Sequence, residues 1–155
     1  MAKEEFLSKS AAETQKLAAD IVKGLVGQKA GGKALVLALE GELGGGKTTF
    51  VQGLAKALGV KEKITSPTFV IMRRFEIKKL GNKETGRLSN LYHIDCYRLG
   101  SRNELTDLGL GEILKNPKNL VVIEWADKVK SLIPKDAVWV EFGWRGQEER
   151  GIKIR

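Results

Sequence analysis

The chain has 155 residues, of which 27 are Lys or Arg and 19 are Asp or Glu, so its formal net charge is +8. A hydrophobic fraction of 42% argues against a disordered chain, and a charged fraction of 30% argues against a membrane protein. The length predicts one domain that spans residues 1–155. An isoelectric point of about 9.6 favours acidic partners such as nucleotides or RNA, or it simply keeps the protein soluble.

The cysteine content and the apolar runs indicate the compartment. Cys96 is the one cysteine, which excludes an intramolecular disulfide, and a single histidine leaves no Cys/His cluster for zinc. The first ten residues lack the apolar run of a secretory signal. The longest apolar run, Ala34–Leu39, is far shorter than the roughly 20 residues that cross a bilayer. These features predict a reduced, cytoplasmic protein with no membrane partner.

The N-terminal half alternates helical and strand patterns. Ser10 and Glu13 form a capping box, which predicts a helix that ends at Gly27. The run Ala34–Leu39, bounded by glycines, is typical of a strand buried on both faces of a parallel sheet. A second helix is predicted from apolar residues at helical spacing, namely Phe50, Val51, Leu54, Ala55 and Leu58.

The rest of the chain is richer in β-forming residues. Strands are predicted at Thr68–Ile77, Leu91–Asp95, Leu120–Glu124, Val138–Phe142 and Ile152–Ile154. The polar segment Lys78–Leu88 predicts a hairpin or a loop, and a capping box at 101–104 predicts one short helix toward Leu114. Together these elements predict a single α/β domain with a mixed sheet and helices on both faces.

The strongest motif follows the first of these strands. Residues 41–48, GELGGGKT, match G-x-x-x-x-G-K-[ST], the phosphate loop of P-loop NTPases. Its glycines let backbone N–H groups point at phosphate oxygens, and the helix that follows adds the positive end of its dipole. We expect Lys47 to reach the β- and γ-phosphates and the Thr48 hydroxyl to bind Mg²⁺. The strand before the motif and the helix after it argue against a chance glycine-rich turn.

Two acids end apolar strands and are candidates to work with this loop. Glu124 follows four apolar residues, the pattern of a Walker B strand, whereas the strand before Asp95 is less apolar. Both are expected to face the nucleotide, because open α/β sheets bind ligands at the carboxyl ends of their strands. We predict that Glu124 binds Mg²⁺ or its water, and that Asp95 positions the attacking water or completes the metal shell. Either acid alone is also compatible with an ion pair or a surface position.

Four other features allow more than one interpretation. The segment Thr65–Phe69 is either a switch that senses the γ-phosphate or the start of a strand shaped by a proline. His93 is interpreted as a core histidine rather than a catalytic base, and Cys96 as a buried hydrophobic residue rather than a nucleophile. A basic run is interpreted as a solvated strand face, with an RNA or partner contact as the alternative; it comprises Arg73, Arg74, Lys78 and Lys79.

Four motifs occur in an order that resembles the bacterial TsaE (YjeE) ATPases. They are GELGGGKTTF at 41–50, SPTF at 66–69, HIDCYRL at 93–99 and IEW at 123–125, and the resemblance spans residues 8–155. It implies a P-loop NTPase-like domain that serves synthesis of N6-threonylcarbamoyladenosine at position 37 of tRNA. In that family the ATPase associates with the TsaD–TsaB pair and does not make the modification itself, so contact with tRNA is expected to be indirect or weak.

The resemblance also implies roles for particular residues. ATP and Mg²⁺ are the implied cofactors, Thr48 and Glu124 the metal-binding residues, and Asp95 and Glu124 the catalytic acids, with Asp95 also contacting the nucleotide. Trp125 and Arg150 match a tryptophan and an arginine of the family, without a role that we can derive. The implied phosphate-binding residues are Leu43, Gly44, Gly45, Gly46, Lys47, Thr48 and Thr49.

Other functions remain as alternatives at this point. A small nucleotide or nucleoside kinase would need an acceptor pocket and an arginine-rich lid, which the sequence does not clearly show. A GTPase would need a guanine-binding N-K-x-D motif, and residues 82–85, NKET, lack its aspartate. An RNA-binding module would explain the charge but not the phosphate loop.

Overall fold

The computed structural model describes residues 4–27, 31–42, 44, 46–65, 71–78 and 88–155. Within these residues seven strands form one sheet: β1 (Glu4–Ser8), β2 (Leu35–Gly41), β3 (Met72–Glu76), β4 (Asn90–Asp95), β5 (Asn119–Glu124), β6 (Val138–Trp144) and β7 (Arg150–Ile154). Their order in the sheet is β1-β7-β6-β2-β5-β4-β3. The strands from β6 to β4 pair in parallel, whereas β3, β7 and β1 pair with their neighbours in antiparallel fashion. The predicted mixed sheet is confirmed.

Helices cover both faces of this sheet, as predicted. They are α1 (Ala11–Val26), α2 (Lys47–Ala57), α3 (Asn103–Asp107), α4 (Leu110–Lys115) and a 3₁₀ segment (Ala126–Leu132). Apolar residues of α1 and α2 pack in one core cluster, and those of α3, α4 and the 3₁₀ segment pack in a second. The sheet lies between the two clusters, so each of its faces is buried by a different set of helices.

The central strand β2 explains why the phosphate loop lies in the middle of the molecule. It pairs in parallel with β5 on one side and with β6 on the other. Leu37 and Leu39 belong to the first core cluster, and Val36 and Ala38 belong to the second, so successive side chains are buried on opposite faces. The loop that follows β2 therefore begins at the centre of the carboxyl edge of the parallel strands.

The helices α1 and α2 approach each other closely. The predicted cap of α1 is confirmed, because the Ser10 hydroxyl accepts a hydrogen bond of 3.1 Å from the backbone N–H of Glu13. On α2, a Cβ built on Gly53 would lie 2.4 Å from the Cα of Gln15. Gly53 thus lets the two helix backbones come nearer than any side chain would permit.

Several elements differ from the sequence prediction. The strand β1 and the 3₁₀ segment were not predicted, and the single helix expected toward Leu114 was wrong. It is two helices, α3 and α4, because Gly109 has φ 87° and breaks the helical backbone between them. The strand predicted at Thr68–Ile77 corresponds to β3. Residues 66–70 and 79–87 lie outside the described residues. Most of the predicted switch Thr65–Phe69 and most of the predicted loop Lys78–Leu88 therefore lie outside them as well. Among the described helices, none is long and apolar enough to span a bilayer.

Candidate functional site

A cleft of about 300 Å³ opens where the phosphate loop meets the carboxyl ends of β4 and β5. It brings together most of the described residues that the sequence singled out. Its lining consists of Ser10, Ala11, Thr14, Gly44, Gly46, Lys47, Thr48, Thr49, Asp95, Tyr97, Glu124, Trp125, Glu148 and Arg150. Leu43 and Gly45, which were predicted to contact phosphate, lie outside the described residues.

The backbone of the phosphate loop requires glycine at its two ends. Gly41 has φ 138°, and a Cβ there would lie 2.3 Å from the carbonyl oxygen of Phe142. Gly46 has φ 101° and is the N-cap residue of α2, so the free N–H groups of the helix start directly after it. Such N–H groups and the helix dipole favour an anion at this position. The loop therefore has the features that a phosphate cradle needs.

Lys47 is almost completely buried at the base of the cleft. Its Nζ donates hydrogen bonds to the carbonyl oxygens of Gly41, at 2.7 Å, and Glu42, at 2.8 Å. The same Nζ lies 4.1 Å from the centroid of the Trp125 ring. Burial lowers the pKa of Lys47, and nearby carboxylates, Glu124 foremost, oppose that shift. The ammonium is thus held over the start of the loop by carbonyl dipoles and an aromatic face.

Glu124 links the phosphate loop to the neighbouring strand β4. Its Oε1 accepts a hydrogen bond of 3.1 Å from the Thr48 hydroxyl, and its Oε2 lies 2.5 Å from His93 Nε2. The Glu124 side chain is 2% exposed and that of His93 is fully buried. His93 Nδ1 has no hydrogen-bond partner among the described residues. The histidine is therefore a core residue, as predicted, but it also positions the carboxylate, a role that its sequence context did not indicate.

Asp95 stands beside Glu124 at the same level of the sheet. The two residues are register partners in the parallel pair formed by β4 and β5, so their side chains point to the same face. Asp95 lines the cleft, and one of its oxygens accepts a hydrogen bond of 2.9 Å from the backbone N–H of Tyr97. The structure thus brings both predicted acids to the cleft that contains the loop.

The donors around Thr48 suit Mg²⁺. This ion prefers oxygen ligands and commonly takes one or two from protein, with water and substrate phosphates completing its shell. The Thr48 hydroxyl and the Glu124 carboxylate, with their oxygens 3.1 Å apart, offer such a pair at the edge of the phosphate loop. The residues present therefore fit the predicted metal.

Trp125 adopts an unusual backbone conformation next to this pair. Its φ of 57° makes it the one non-glycine residue with positive φ in the described part of the chain. Such a conformation disfavours a bulky residue and persists where packing enforces it. The Trp125 ring contacts both Lys47 and the Tyr97 ring, whose centroid is 5.0 Å away. The turn after β5 thus places an aromatic face against the loop lysine.

Arg150, the first residue of β7, also lines the cleft. Its Nε donates a hydrogen bond of 3.1 Å to the Gly44 carbonyl, and its guanidinium carbon lies 3.7 Å from the centroid of the Trp144 ring. The sequence singled out this arginine only by a short resemblance. The contact joins the end of β6 and the start of β7 to the phosphate loop, an arrangement that no local pattern could predict.

A central parallel strand, a glycine loop that runs into a helix with a buried lysine, and an adjacent strand that ends in a carboxylate define a P-loop NTPase-like protein. The family model described as "Threonylcarbamoyl adenosine biosynthesis protein TsaE" matches residues 8–152. The chain belongs to the TsaE family, as its motifs predicted.

Individual relatives agree with this assignment. The protein named tRNA threonylcarbamoyladenosine biosynthesis protein TsaE from Treponema pallidum is 38% identical over 119 residues, which are 77% of this chain and 80% of that protein. Its namesake from Bacillus subtilis is 36% identical over 117 residues, 76% of this chain and 66% of that protein. The crystal structure of Bacillus subtilis YdiB superposes with a TM-score of 0.70 at 29% identity, covering 99% of this chain and 84% of that one.

Proposed function

We propose that the chain is a Mg²⁺-dependent ATPase that takes part in the biosynthesis of N6-threonylcarbamoyladenosine on tRNA. The names of the relatives in Treponema pallidum and Bacillus subtilis support the pathway. The contact between Thr48 and Glu124 carries the ATPase part of the proposal, because it joins the phosphate loop to the acid that ends β5. Phosphoryl transfer on such a loop depends on this pairing of a hydroxyl and an acid around one metal ion.

In this proposal the phosphate loop, Lys47, the pair Thr48 and Glu124, and Asp95 have separate tasks. The loop N–H groups and the start of α2 hold the phosphates, and Lys47 moves its ammonium from the Gly41 and Glu42 carbonyls to the β- and γ-phosphates. Thr48 and Glu124 would hold Mg²⁺, which would supply positive charge to neutralise the phosphates. Asp95 accepts a hydrogen bond from the attacking water and so orients it toward the γ-phosphate.

The chain is further proposed to act as an accessory ATPase with the TsaD–TsaB pair, touching tRNA indirectly or weakly. An arginine near the γ-phosphate can raise the rate of hydrolysis by a factor of about 10³ or more. Within the described lining of the cleft, the arginine is Arg150, and its guanidinium already donates hydrogen bonds to the carbonyls of Gly44, Gln147 and Glu149. We infer that a partner completes the site, so the isolated chain hydrolyses ATP slowly.

Steady-state phosphate release tests the enzymatic part. The wild-type chain and a Thr48→Val variant, which keeps the shape and loses the hydroxyl, are assayed with MgATP, alone and with TsaD–TsaB. We expect a slow basal rate that rises with the partners and is abolished in the variant. A basal rate in the range of about 1–100 per second that partners leave unchanged would contradict the accessory role. Because no acceptor is supplied, release of phosphate also separates this function from a nucleoside kinase.

The modified nucleoside itself tests the pathway. In bacteria depleted of their own TsaE, N6-threonylcarbamoyladenosine in tRNA is measured by mass spectrometry after expression of the wild-type chain or of Thr48→Val. The wild type is expected to restore the nucleoside and the variant is not. Restoration by both would mean that nucleotide chemistry at Thr48 is not needed, and restoration by neither would contradict the pathway.

A further inference from the structure

We propose that the edge of the sheet opposite the cleft binds the phosphate backbone of RNA. The strands β2, β4, β5 and β6 pair in parallel, so their amino ends lie together at this edge. We call it the basic edge and define it by five exposed cations, namely Lys33, Arg74, Lys78, Lys115 and Lys118. The proposed role in tRNA modification underlies this inference, which gives a weak contact with tRNA a place on the protein.

Charge is distributed unevenly between the two edges of the sheet. At the carboxyl edge, Asp95 and Glu124 line the cleft, and a neighbouring depression of about 380 Å³ is lined by further carboxylates. These are Glu40, Glu42, Asp127 and Glu141. A large polyanion is disfavoured beside so many carboxylates and is attracted to cations at the opposite edge.

The start of β4 brings three of the cations together. Arg74 Nε donates a hydrogen bond of 3.1 Å to Asn90 Oδ1. The Lys118 carbonyl accepts a hydrogen bond of 3.2 Å from the backbone N–H of the same Asn90. Lys78 lies two residues beyond Glu76, which is the register partner of Asn90 in the pair of β3 and β4. Arg74, Lys78 and Lys118 therefore flank one point of the sheet.

The end of α4 brings two more cations to the same edge. The Leu114 carbonyl accepts a hydrogen bond of 3.0 Å from the backbone N–H of Ala34, so Lys115 and Lys33 each adjoin one member of this bonded pair. Each of the two lysines also forms an ion pair with an exposed acid, at 3.2 Å for Lys33 and 3.6 Å for Lys115. Exposed ion pairs are weak, so both lysines can exchange the acid for a phosphate.

Side-chain amides accompany the cations at this edge. Asn90 Nδ2 donates a hydrogen bond of 2.9 Å to Asn119 Oδ1, and Asn119 Nδ2 donates one of 2.9 Å to the Ile113 carbonyl. This row of amides anchors Arg74 through Asn90 and fixes the direction of its guanidinium. Contacts to a nucleic-acid backbone come chiefly from Arg and Lys, with Asn among the neutral donors. The side chains of the basic edge are of these types.

Two further observations favour RNA over a protein partner. Among the described residues, Arg74, Lys78 and Lys118 form no ion pair with an acid, so their charges are available to a ligand. The core of a protein interface is commonly apolar, and the large exposed apolar side chains of the described residues lie in other segments of the chain. They are Leu7, Tyr97, Leu108 and Trp144.

Fluorescence anisotropy with a labelled, unmodified tRNA tests the basic edge. The full chain is titrated without nucleotide at salt concentrations from about 50 to 200 mM. The test variant neutralises the three unpaired cations through Arg74→Gln, Lys78→Gln and Lys118→Gln. The matched control removes the same number of charges from exposed lysines elsewhere on the surface, through Lys16→Gln, Lys130→Gln and Lys153→Gln. Circular dichroism verifies the fold of each variant, and Lys118→Gln alone serves if the triple variant does not fold.

We expect the wild type to bind tRNA with a dissociation constant of about 10⁻⁴–10⁻⁶ M that rises steeply with salt. The test variant is expected to bind about tenfold more weakly. The slope of its log affinity against log salt should be smaller by about one for each cation removed, and by about one in Lys118→Gln. The control is expected to stay within about twofold of the wild type.

Several outcomes would overturn the basic edge as an RNA surface. Equal losses in the two triple variants would mean that net charge alone attracts the tRNA, and no loss in the test variant would exclude these cations. A wild type that binds no tRNA at 50 mM salt would also overturn it. Polyglutamate that displaces tRNA as well as unlabelled tRNA does would assign the surface to an acidic protein segment instead. A chain that binds tRNA through these cations but releases no phosphate from MgATP contradicts the proposed ATPase and leaves the basic edge standing.

Discussion

His93 and Glu124, on neighbouring parallel strands, place Nε2 and Oε2 2.5 Å apart in the interior of the protein. The other carboxylate oxygen of Glu124 accepts from Thr48. The buried side chain of Glu124 therefore connects the phosphate loop to a histidine that is fully buried. A hydrogen-bond partner of this kind fixes the orientation of the carboxylate that we propose as a Mg²⁺ ligand.

Replacing His93 tests this positioning role. His93→Leu removes the group that holds Glu124 Oε2, and we expect the Mg²⁺ concentration for half-maximal ATP hydrolysis to rise about tenfold. His93→Gln offers an N–H donor at a similar reach and is expected to restore most of the wild-type Mg²⁺ dependence. If His93 had a purely structural role, both substitutions would lower the melting temperature and leave the Mg²⁺ dependence of the folded protein unchanged.

Lys47 is expected to be essential for binding ATP. Lys47→Ala removes the buried ammonium that we propose binds the β- and γ-phosphates, and loss of such charge-assisted hydrogen bonds costs about 3 kcal/mol, or roughly a hundredfold in affinity. The control is Lys56→Ala, an exposed lysine in the last turn of the same helix, which is expected to bind ATP normally. Calorimetry measures both affinities, and tight ATP binding by folded Lys47→Ala would contradict the site.

The contact between α1 and α2 predicts a stability effect. Gly53→Ala puts a Cβ 2.4 Å from the Gln15 Cα, a backbone atom that cannot move alone, and overpacking of this kind costs about 1–3 kcal/mol. Gly24→Ala is the control, because a Cβ there meets nothing within 4 Å on the exposed side of α1, and it is expected to stabilise the protein by about 0.5–1 kcal/mol. Urea unfolding of the two variants measures both effects, and opposite signs are expected.

The buried thiol predicts a pH dependence. Burial raises the pKa of Cys96 from 9.0 to about 12. Because the folded protein keeps its proton while the unfolded chain loses it, this stabilising contribution is complete below pH 9 and is lost between pH 9 and 12. The difference in unfolding free energy between wild type and Cys96→Ala should therefore fall by about 2 kcal/mol from pH 8 to pH 10.5. A difference that is constant across this range would mean that the thiol is accessible to water.

Local patterns predicted the elements that are determined by neighbouring residues. The spacing of Gly41, Gly46 and Lys47 gave the loop, and four apolar residues before Glu124 gave the strand and its acid. The strand β1 was not predicted because its sequence, EEFLS, has little alternation of apolar and polar residues. Its position also depends on pairing with residues 150–154, at the other end of the chain. The contact between His93 and Glu124 could not be predicted either, because it depends on the pairing of two strands that are distant in the sequence. A helix expected to be continuous broke at Gly109, where positive φ is available without strain.

The most direct test of the proposed site is a comparison of binding and hydrolysis in Glu124→Gln. This variant keeps the size of the side chain and removes the charge that faces Thr48. We expect the ATP dissociation constant to stay within about threefold of the wild type, since the loop N–H groups and Lys47 remain, while phosphate release with TsaD–TsaB falls by a factor of about 10² or more. Hydrolysis at the wild-type rate would contradict the account.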